Sequence, residues 1–242
     1  KNNITTLINI TTTRRNILEL ANLKESGVNL TTDNIKELKE SGIIIIAVKP
    51  YDIVNILDEI KDHLDPNNHI LISVTAGVTI SQIQDVVGIS IPIFRAMPNI
   101  SASVGKSVSC ICHNEAGRKN IESVKYLFDI IGITMIIEEE LMQSATILGA
   151  CGIAYVLRFI RAMIQGGIQI GFDARTASDI VNQTVKGAAE LLIERHEHPE
   201  FEIDKVTTPK GCTIVGLNEM EHNGFSSSLI KGIVVSYEKI EN

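Results

Sequence analysis

No two glycines in this 242-residue chain are separated by a single residue, so the G-x-G-x-x-G turn that cradles a dinucleotide pyrophosphate is absent from it. Positive charge is also scarce. Lys and Arg number 22 against 29 Asp and Glu, a formal net charge of −7, which speaks against the basic face that nucleic acid or an anionic membrane surface needs. Cysteine is limited to Cys110, Cys112, Cys151 and Cys212. Cys110-x-Cys112 sits in an alternating strand pattern with no second pair to complete a metal site, so it reads as core. The start of the chain shows no secretory pattern, and reduced thiols in a cytoplasm are expected. Long apolar runs are missing too: residues 66–84 are uncharged but rich in polar side chains, and the run 141–157 falls short of a spanning length of ~20 residues. No membrane span is expected, and a small metabolite is the better partner.

What is present is ordinary globular composition, 44% hydrophobic and 21% charged, in a chain long enough for two domains or one large α/β domain. Short apolar runs alternate with amphipathic stretches over the first half, the pattern of βαβ units and a largely parallel sheet. Strands are expected at residues 4–10, 43–48, 70–74, 91–95, 108–112 and 134–137. The four consecutive isoleucines of 43–46 mark 43–48 as a fully buried central strand. Helices are expected at 14–26, 34–40, 52–64 and 81–87. After residue 138 the pattern turns to apolar-rich helices, 139–171, 173–196, 212–223 and 226–240, with almost no strand signal. The fold class is therefore α/β: a Rossmann-like domain, residues 1–138, followed by an all-helical domain, residues 139–242. The Gly166-Gly167 pair and other helical glycines point to close helix approach.

Several segments carry chemistry. Residues 204–225 place Pro209, Lys210 and Gly211 in a turn that runs into a helix beginning at Cys212, whose first amides have no intrahelical partner and suit an anion. Ala47, Val48, Lys49 and Pro50 end the isoleucine strand at the sheet's carboxyl edge, where open α/β folds bind ligands. Ala76 and Gly77, then Met97, Pro98 and Asn99, leave two further strands. Thr11, Thr12 and Arg14, with Arg15, follow the first strand where a 2′-phosphate is held in NADP-binding folds, or else simply cap a helix. His196, Glu197 and His198 form a polar, proline-bounded loop rather than a metal site.

In order and spacing, Ala47-Val-Lys-Pro50, Ser73-Val-Thr-Ala-Gly-Val78, Arg95-Ala-Met-Pro-Asn99 and Asp204-Lys-Val-Thr-Thr-Pro-Lys-Gly-Cys-Thr213 resemble the pyrroline-5-carboxylate reductase family, the last enzyme of proline biosynthesis. The resemblance covers nearly the whole chain. It implies an oxidoreductase passing a hydride from NADPH, or from NADH, to 1-pyrroline-5-carboxylate, and a C-terminal domain that forms an intertwined homodimer, with dimers assembling into rings. It assigns Ala47 to Pro50, Ala76, Gly77, Met97, Pro98 and Asn99 to the cofactor. Lys210, Gly211, Cys212 and Thr213 fall to the substrate, and Thr213, matching the residue that bonds the ring nitrogen, is the catalytic candidate.

Departures from the family pattern are equally specific. Lys210 replaces the first of two glycines and Cys212 a small residue. The G-S-G-P-A segment becomes Ala150-Cys-Gly-Ile-Ala154, which puts a polar role at Cys151 in doubt, and Asn99 is followed by Ile100-Ser101 where Thr-Pro is usual. The family opens with a strand, the glycine fingerprint and a helix. The expectation is therefore either a further N-terminal segment of roughly 25 to 35 residues, the length of a strand, turn and helix, or its absence from the protein with cofactor affinity badly compromised. Two other readings stand beside the reductase: another two-domain NADP-dependent imine or hydroxy-acid reductase, marked by a catalytic lysine deep in the helical domain, and a non-catalytic truncated helical dimer that binds carboxylates.

Overall fold

The structure is a computed structural model, and it describes residues 9–241. The chain divides into two compact units after Ala150. In the first, β1 (Thr11–Thr13) and β2 (Asn29–Thr31) form a parallel two-stranded sheet. A second sheet has the order β3 (Ile43–Ile46), β4 (Ile70–Ser73), β5 (Ile93–Met97), β6 (Ser107–His113) and β7 (Gly132–Ile136). All of its pairings are parallel except β5 with β6. Between the strands lie α1 (Ala21–Glu25), α2 (Asn34–Leu38), α3 (Ile53–Ile60), α4 (Ile80–Val87) and α5 (Ile121–Asp129).

Strands β4 and β5 are apolar on both sides because helices cover both faces. Leu71 and Ile93 pack with Ile53, Leu57 and Ile60 of α3 and Ile83 of α4, whereas Ile72 and Phe94 pack with Val124 and Phe128 of α5. Each of these fully buried side chains contributes about 1.5–3 kcal/mol relative to exposure. The spacing of three and four residues along α3 is what puts its isoleucines and Leu57 on one stripe. Thr79 and Gln82 start α4 with a reciprocal capping box.

The β5–β6 connection is pinned by polar side chains. Buried Asn114 accepts from the amides of Ile93 (3.0 Å) and Gly117 (2.9 Å) and donates to the Ile91 carbonyl (2.8 Å). Arg95 points from β5 into the interior, where its Nη1 donates to Glu139 Oε1 at 2.6 Å; the same oxygen accepts from the Ile80 amide at 2.7 Å. Arg95 Nε is buried and has no partner among the described residues. Cys112, across from Arg95 on β6, has its thiol pKa pushed up to about 12, mainly by burial and then by the Glu139 charge.

Four expectations change. The isoleucine strand is an edge strand rather than a central one. Among the described residues only β4 pairs with β3, so Ile43 and Ile45 are 41% and 50% exposed while Ile46 is buried. The strand expected at 4–10 falls mostly outside the described residues, and Thr11 to Thr13, expected to follow a strand, form β1. Residues 14–26 are a short 3-10 turn (Ile17–Leu20) and α1 rather than one helix. Helix α5 and a later helix, α9 (Pro199–Val206), occupy stretches read as connections.

After β7 come a 3-10 turn (Glu139–Leu141), α6 (Met142–Ala145), a π-helical turn (Thr146–Cys151) and α7 (Gly152–Gln169). The helical stretch Glu139–Gln169 is long and apolar enough, by length and composition alone, to cross a membrane. The 141–157 run understated it because the helix continues past Arg158 and Arg161. Helices α8 (Ala174–Arg195), α9 (Pro199–Val206), α10 (Cys212–His222) and α11 (Phe225–Glu241) complete the second unit. Tyr155 of α7 donates to Ser236 of α11 at 2.7 Å, and Phe159 meets Phe225. Gly167 lets α8 approach: a Cβ there would sit 3.2 Å from that of Ala177. Of the apolar side chains described in this unit, only Ala177 and Val181 are buried.

Candidate active site

Because β3, β4 and β5 run parallel and in register, the segments that follow them leave the sheet on the same carboxyl edge. These are Ala47 to Pro50, Thr75 to Gly77 and Met97 to Asn99. The first two are joined directly: Thr75 donates its hydroxyl to the Val48 carbonyl at 3.1 Å, and its own amide is held by Ser73. Thr75 lies inside one of the matched motifs, and only the folded geometry shows its bracing role. Val48 is half-buried against the core, whereas Ala47, Lys49, Pro50, Ala76 and Gly77 are exposed. Gly77 turns with φ of +77° and has open space where a side chain would be, so backbone at this edge is accessible to a flat ring.

Thr11 and Thr12 lie within β1, with the Thr11 hydroxyl donating to Glu37 at 3.2 Å. Arg14 follows the strand and pairs with Glu19. Arg15 reaches Asp52, 3.1 Å away in the turn after Pro50, which ties the end of β1 to the carboxyl end of β3. Met97 and Pro98 are half-buried at the end of β5. Asn99 differs from its neighbours, for its side chain is already bonded at both ends: Oδ1 accepts from the Ser101 amide and Nδ2 donates to the Gly149 carbonyl, each at 3.0 Å.

In the second unit, Thr208, Pro209, Lys210 and Gly211 form a turn closed by the Gly211 amide on the Thr208 carbonyl at 2.9 Å. Proline at its second position and a positive φ at its third are the marks of a type II turn, and the third residue is Lys210, at φ +62°. A lysine therefore holds a conformation that glycine adopts without strain. Gly211 caps α10 with no side-chain bond, leaving the first amides of that helix uncapped. A Cβ on Gly211 would lie 2.5 Å from Thr208 Oγ1 and 3.0 Å from its carbonyl oxygen, so glycine is needed there for space. Cys212 is exposed, and Thr213 is half-buried with no side-chain partner among the described residues. Thr213 is therefore not the cap of its helix.

His196 ends α8 with a positive φ, and His198 caps α9 through Nδ1 and the Glu200 amide at 3.2 Å. Among the described residues no group of His, Cys, Asp and Glu is arranged to hold a metal ion.

A parallel-dominated sheet with the segments after β3, β4 and β5 gathered at one edge, followed in the chain by a helical unit, is the layout of a Rossmann-like dinucleotide-dependent oxidoreductase. Residues 139–242 match the family model described as pyrroline-5-carboxylate reductase dimerisation, and residues 3–77 the one described as NADP oxidoreductase, coenzyme F420-dependent. The chain is 43% identical to pyrroline-5-carboxylate reductase 1 of Dictyostelium discoideum over 95% of its length and 42% identical to that organism's reductase 2, also over 95%. It spans 44% of the first relative and 82% of the second. A Plasmodium falciparum pyrroline carboxylate reductase solved with NADP bound superposes with a TM-score of 0.86 at 28% identity, covering 98% of this chain and 88% of that one. This chain belongs to the pyrroline-5-carboxylate reductase family.

Proposed function

We propose that this protein reduces 1-pyrroline-5-carboxylate to L-proline with NAD(P)H. The observation that carries the reading is the turn at 208–211: at the start of α10, helix amides without a side-chain cap lie next to a lysine and a threonine hydroxyl that have no partner among the described residues. The Cys212 amide and the Lys210 ammonium hold the substrate carboxylate; the Gly211 amide, expected to join them, is instead committed to the Thr208 carbonyl. The Thr213 hydroxyl accepts from the ring N–H of the protonated imine, orienting its C5. That iminium is already electrophilic, so the protein's task is alignment and exclusion of water rather than acid–base chemistry.

NAD(P)H supplies the hydride that C5 accepts as the carbon–nitrogen double bond becomes single and the nitrogen an amine. The carboxyl edge of the sheet fits the nicotinamide half of that cofactor: Ala47 to Pro50 and Ala76 to Gly77 offer open backbone, with Met97 and Pro98 beside them. Thr11, Thr12 and Arg14 are placed for the far ribose and its 2′-phosphate. Residues 1–242 contain no G-x-G-x-x-G turn for the pyrophosphate.

The helical unit leaves Val156, Leu157, Ile180, Ile193, Ile230 and Val235 47–62% exposed, and Met163, Ile170, Phe172 and Met220 line an apolar groove of about 640 Å³. We assign these faces to a second copy of the chain, in a homodimer or a ring of dimers; that burial is the aqueous alternative to lipid for Glu139–Gln169. Free cysteines throughout the chain suit a cytoplasmic setting. The competing reductase with a lysine buried in its helical domain is disfavoured, because Lys186, Lys205, Lys210, Lys231 and Lys239 are all exposed.

The test is NADPH oxidation with pyrroline-5-carboxylate. Thr213→Ala should lower kcat/KM roughly 10²-fold, the size of losing one aligned hydrogen bond at a reacting centre. Turnover that survives the substitution unchanged would remove Thr213 from the mechanism. Lys210→Gly should change stability and affinity in opposite directions. Relief of the left-handed backbone is worth about 1 kcal/mol, while KM for the carboxylate rises roughly threefold with loss of an exposed charge. Thermal melts and steady-state KM read the two; an unchanged KM would place the ammonium in solvent.

A further inference from the structure

The family resemblance sets Asn99 among the cofactor contacts, but the structure gives its side chain other work. Its amide is fixed in orientation, because the Ser101 N–H can only donate and so identifies the atom facing it, at 3.0 Å, as Oδ1. Nδ2 therefore faces the Gly149 carbonyl, 3.0 Å away and 50 residues along the chain. The Asn99 backbone is held as well, its amide donating to Ser107 Oγ at 3.0 Å, with Ser107 itself buried on β6.

Gly149 lies in the π-helical turn Thr146–Cys151. Such a turn inserts one residue into the helical ladder and displaces carbonyls from their usual partners, and it recurs at functional sites. Here one displaced carbonyl takes a side-chain donor from the end of β5. The turn is also seated against the sheet: Ile147 is buried, and a Cβ on Gly149 would be 3.4 Å from Val108 of β6. At the other end of the turn, Thr146 Oγ1 donates to the Met142 carbonyl at 2.8 Å. Asn99 is the polar link between this turn and the strand end that carries Met97 and Pro98.

We propose that Asn99 is a positioning residue, whose amide holds the π-helical turn in register with the end of β5 and thereby sets the backbone from Thr146 to Ala150 beside the nicotinamide edge. The proposal rests on the reductase reading for its kinetic consequence, though not for its structural one. Asn99→Asp isolates the role, since aspartate keeps the acceptor for Ser101 and turns a donor to Gly149 into a repelling oxygen. Asn99→Ala removes both.

The expected result for Asn99→Asp is a fall in kcat of about tenfold or more, with KM for NADPH within twofold of the native value. Hydrogen exchange should quicken in peptides covering residues 146–151 and stay unchanged at β4 and α5. Asn99→Ala, which carries no charge, should show the same exchange pattern. A rise in KM for NADPH of tenfold or more with unaltered exchange would overturn the proposal and make Asn99 a direct cofactor contact. So would two variants with native exchange and native kinetics. If the native chain shows no turnover, the reductase reading fails, and the exchange measurement alone decides the positioning role.

Discussion

Gly132→Ala should prevent this chain from folding to a stable state. Gly132 begins β7 at φ +155°, paired with Ser107 of β6, and a Cβ there would lie 1.9 Å from the Ser107 carbonyl oxygen and 2.5 Å from its nitrogen. Both atoms are main chain and neither can rotate away. Relief requires parting the two strands, and the Ser107 amide bond to the Ile131 carbonyl (2.8 Å) opens with them. The cost should exceed about 4 kcal/mol, much of the stability of an ordinary domain. Gly105→Ala makes the control: its φ is also positive, but the space around it is empty, so only the backbone penalty of about 1 kcal/mol applies. Urea unfolding of the two variants should separate them widely, and a Gly132→Ala protein melting within a few degrees of the native one would refute the clash.

The second large effect is expected at Glu139. This carboxylate answers the charge of Arg95, whose side chain is only 6% exposed, and it also accepts from the first amide of α4. Glu139→Ala leaves a buried guanidinium uncompensated, with Nε already lacking a partner. Breaking such pairs costs about 3–5 kcal/mol, and because Glu139 is 29% exposed, water reaching the gap holds the loss near the lower figure. Replacing both partners, Arg95→Met with Glu139→Leu, should be milder than Glu139→Ala alone, since no charge is left stranded. Denaturant midpoints of Arg95→Met, Glu139→Leu and the double form the cycle, with Glu139→Ala measured beside it. A double variant less stable than Glu139→Ala would mean that the ion pair does more than neutralise itself.

How far these features could be read in advance depended on their range along the chain. The runs at β4 and β5 announced strands, and α3 and α4 showed their helical spacing. Four isoleucines at 43–46 read the same way, but burial of a strand depends on what lies beside it, and no local pattern reports an unpaired edge. Helix α5 carried a usable signal in Val124 and Phe128, four residues apart. Helix α9 carried another in Pro199 at its first position, which reads as a turn until His198 is seen to cap it.

The site segments were legible because each is a short motif at a strand end or helix start. The contacts between them were not: Arg15 to Asp52, Thr75 to Val48, Arg95 to Glu139 and Asn99 to Gly149 join residues 37, 27, 44 and 50 positions apart. Composition allows such pairs in great number, and only the fold selects them.

The second unit hides two apolar side chains, Ala177 and Val181, behind its own helices. Too little water is released when such a unit folds by itself to offset the entropy of ordering five helices. In the homodimer proposed above its stability would belong to an association equilibrium, and what is usually quoted as a property of a chain would become a property of a solution: the melting midpoint should climb with protein concentration, and dilution should act as a denaturant.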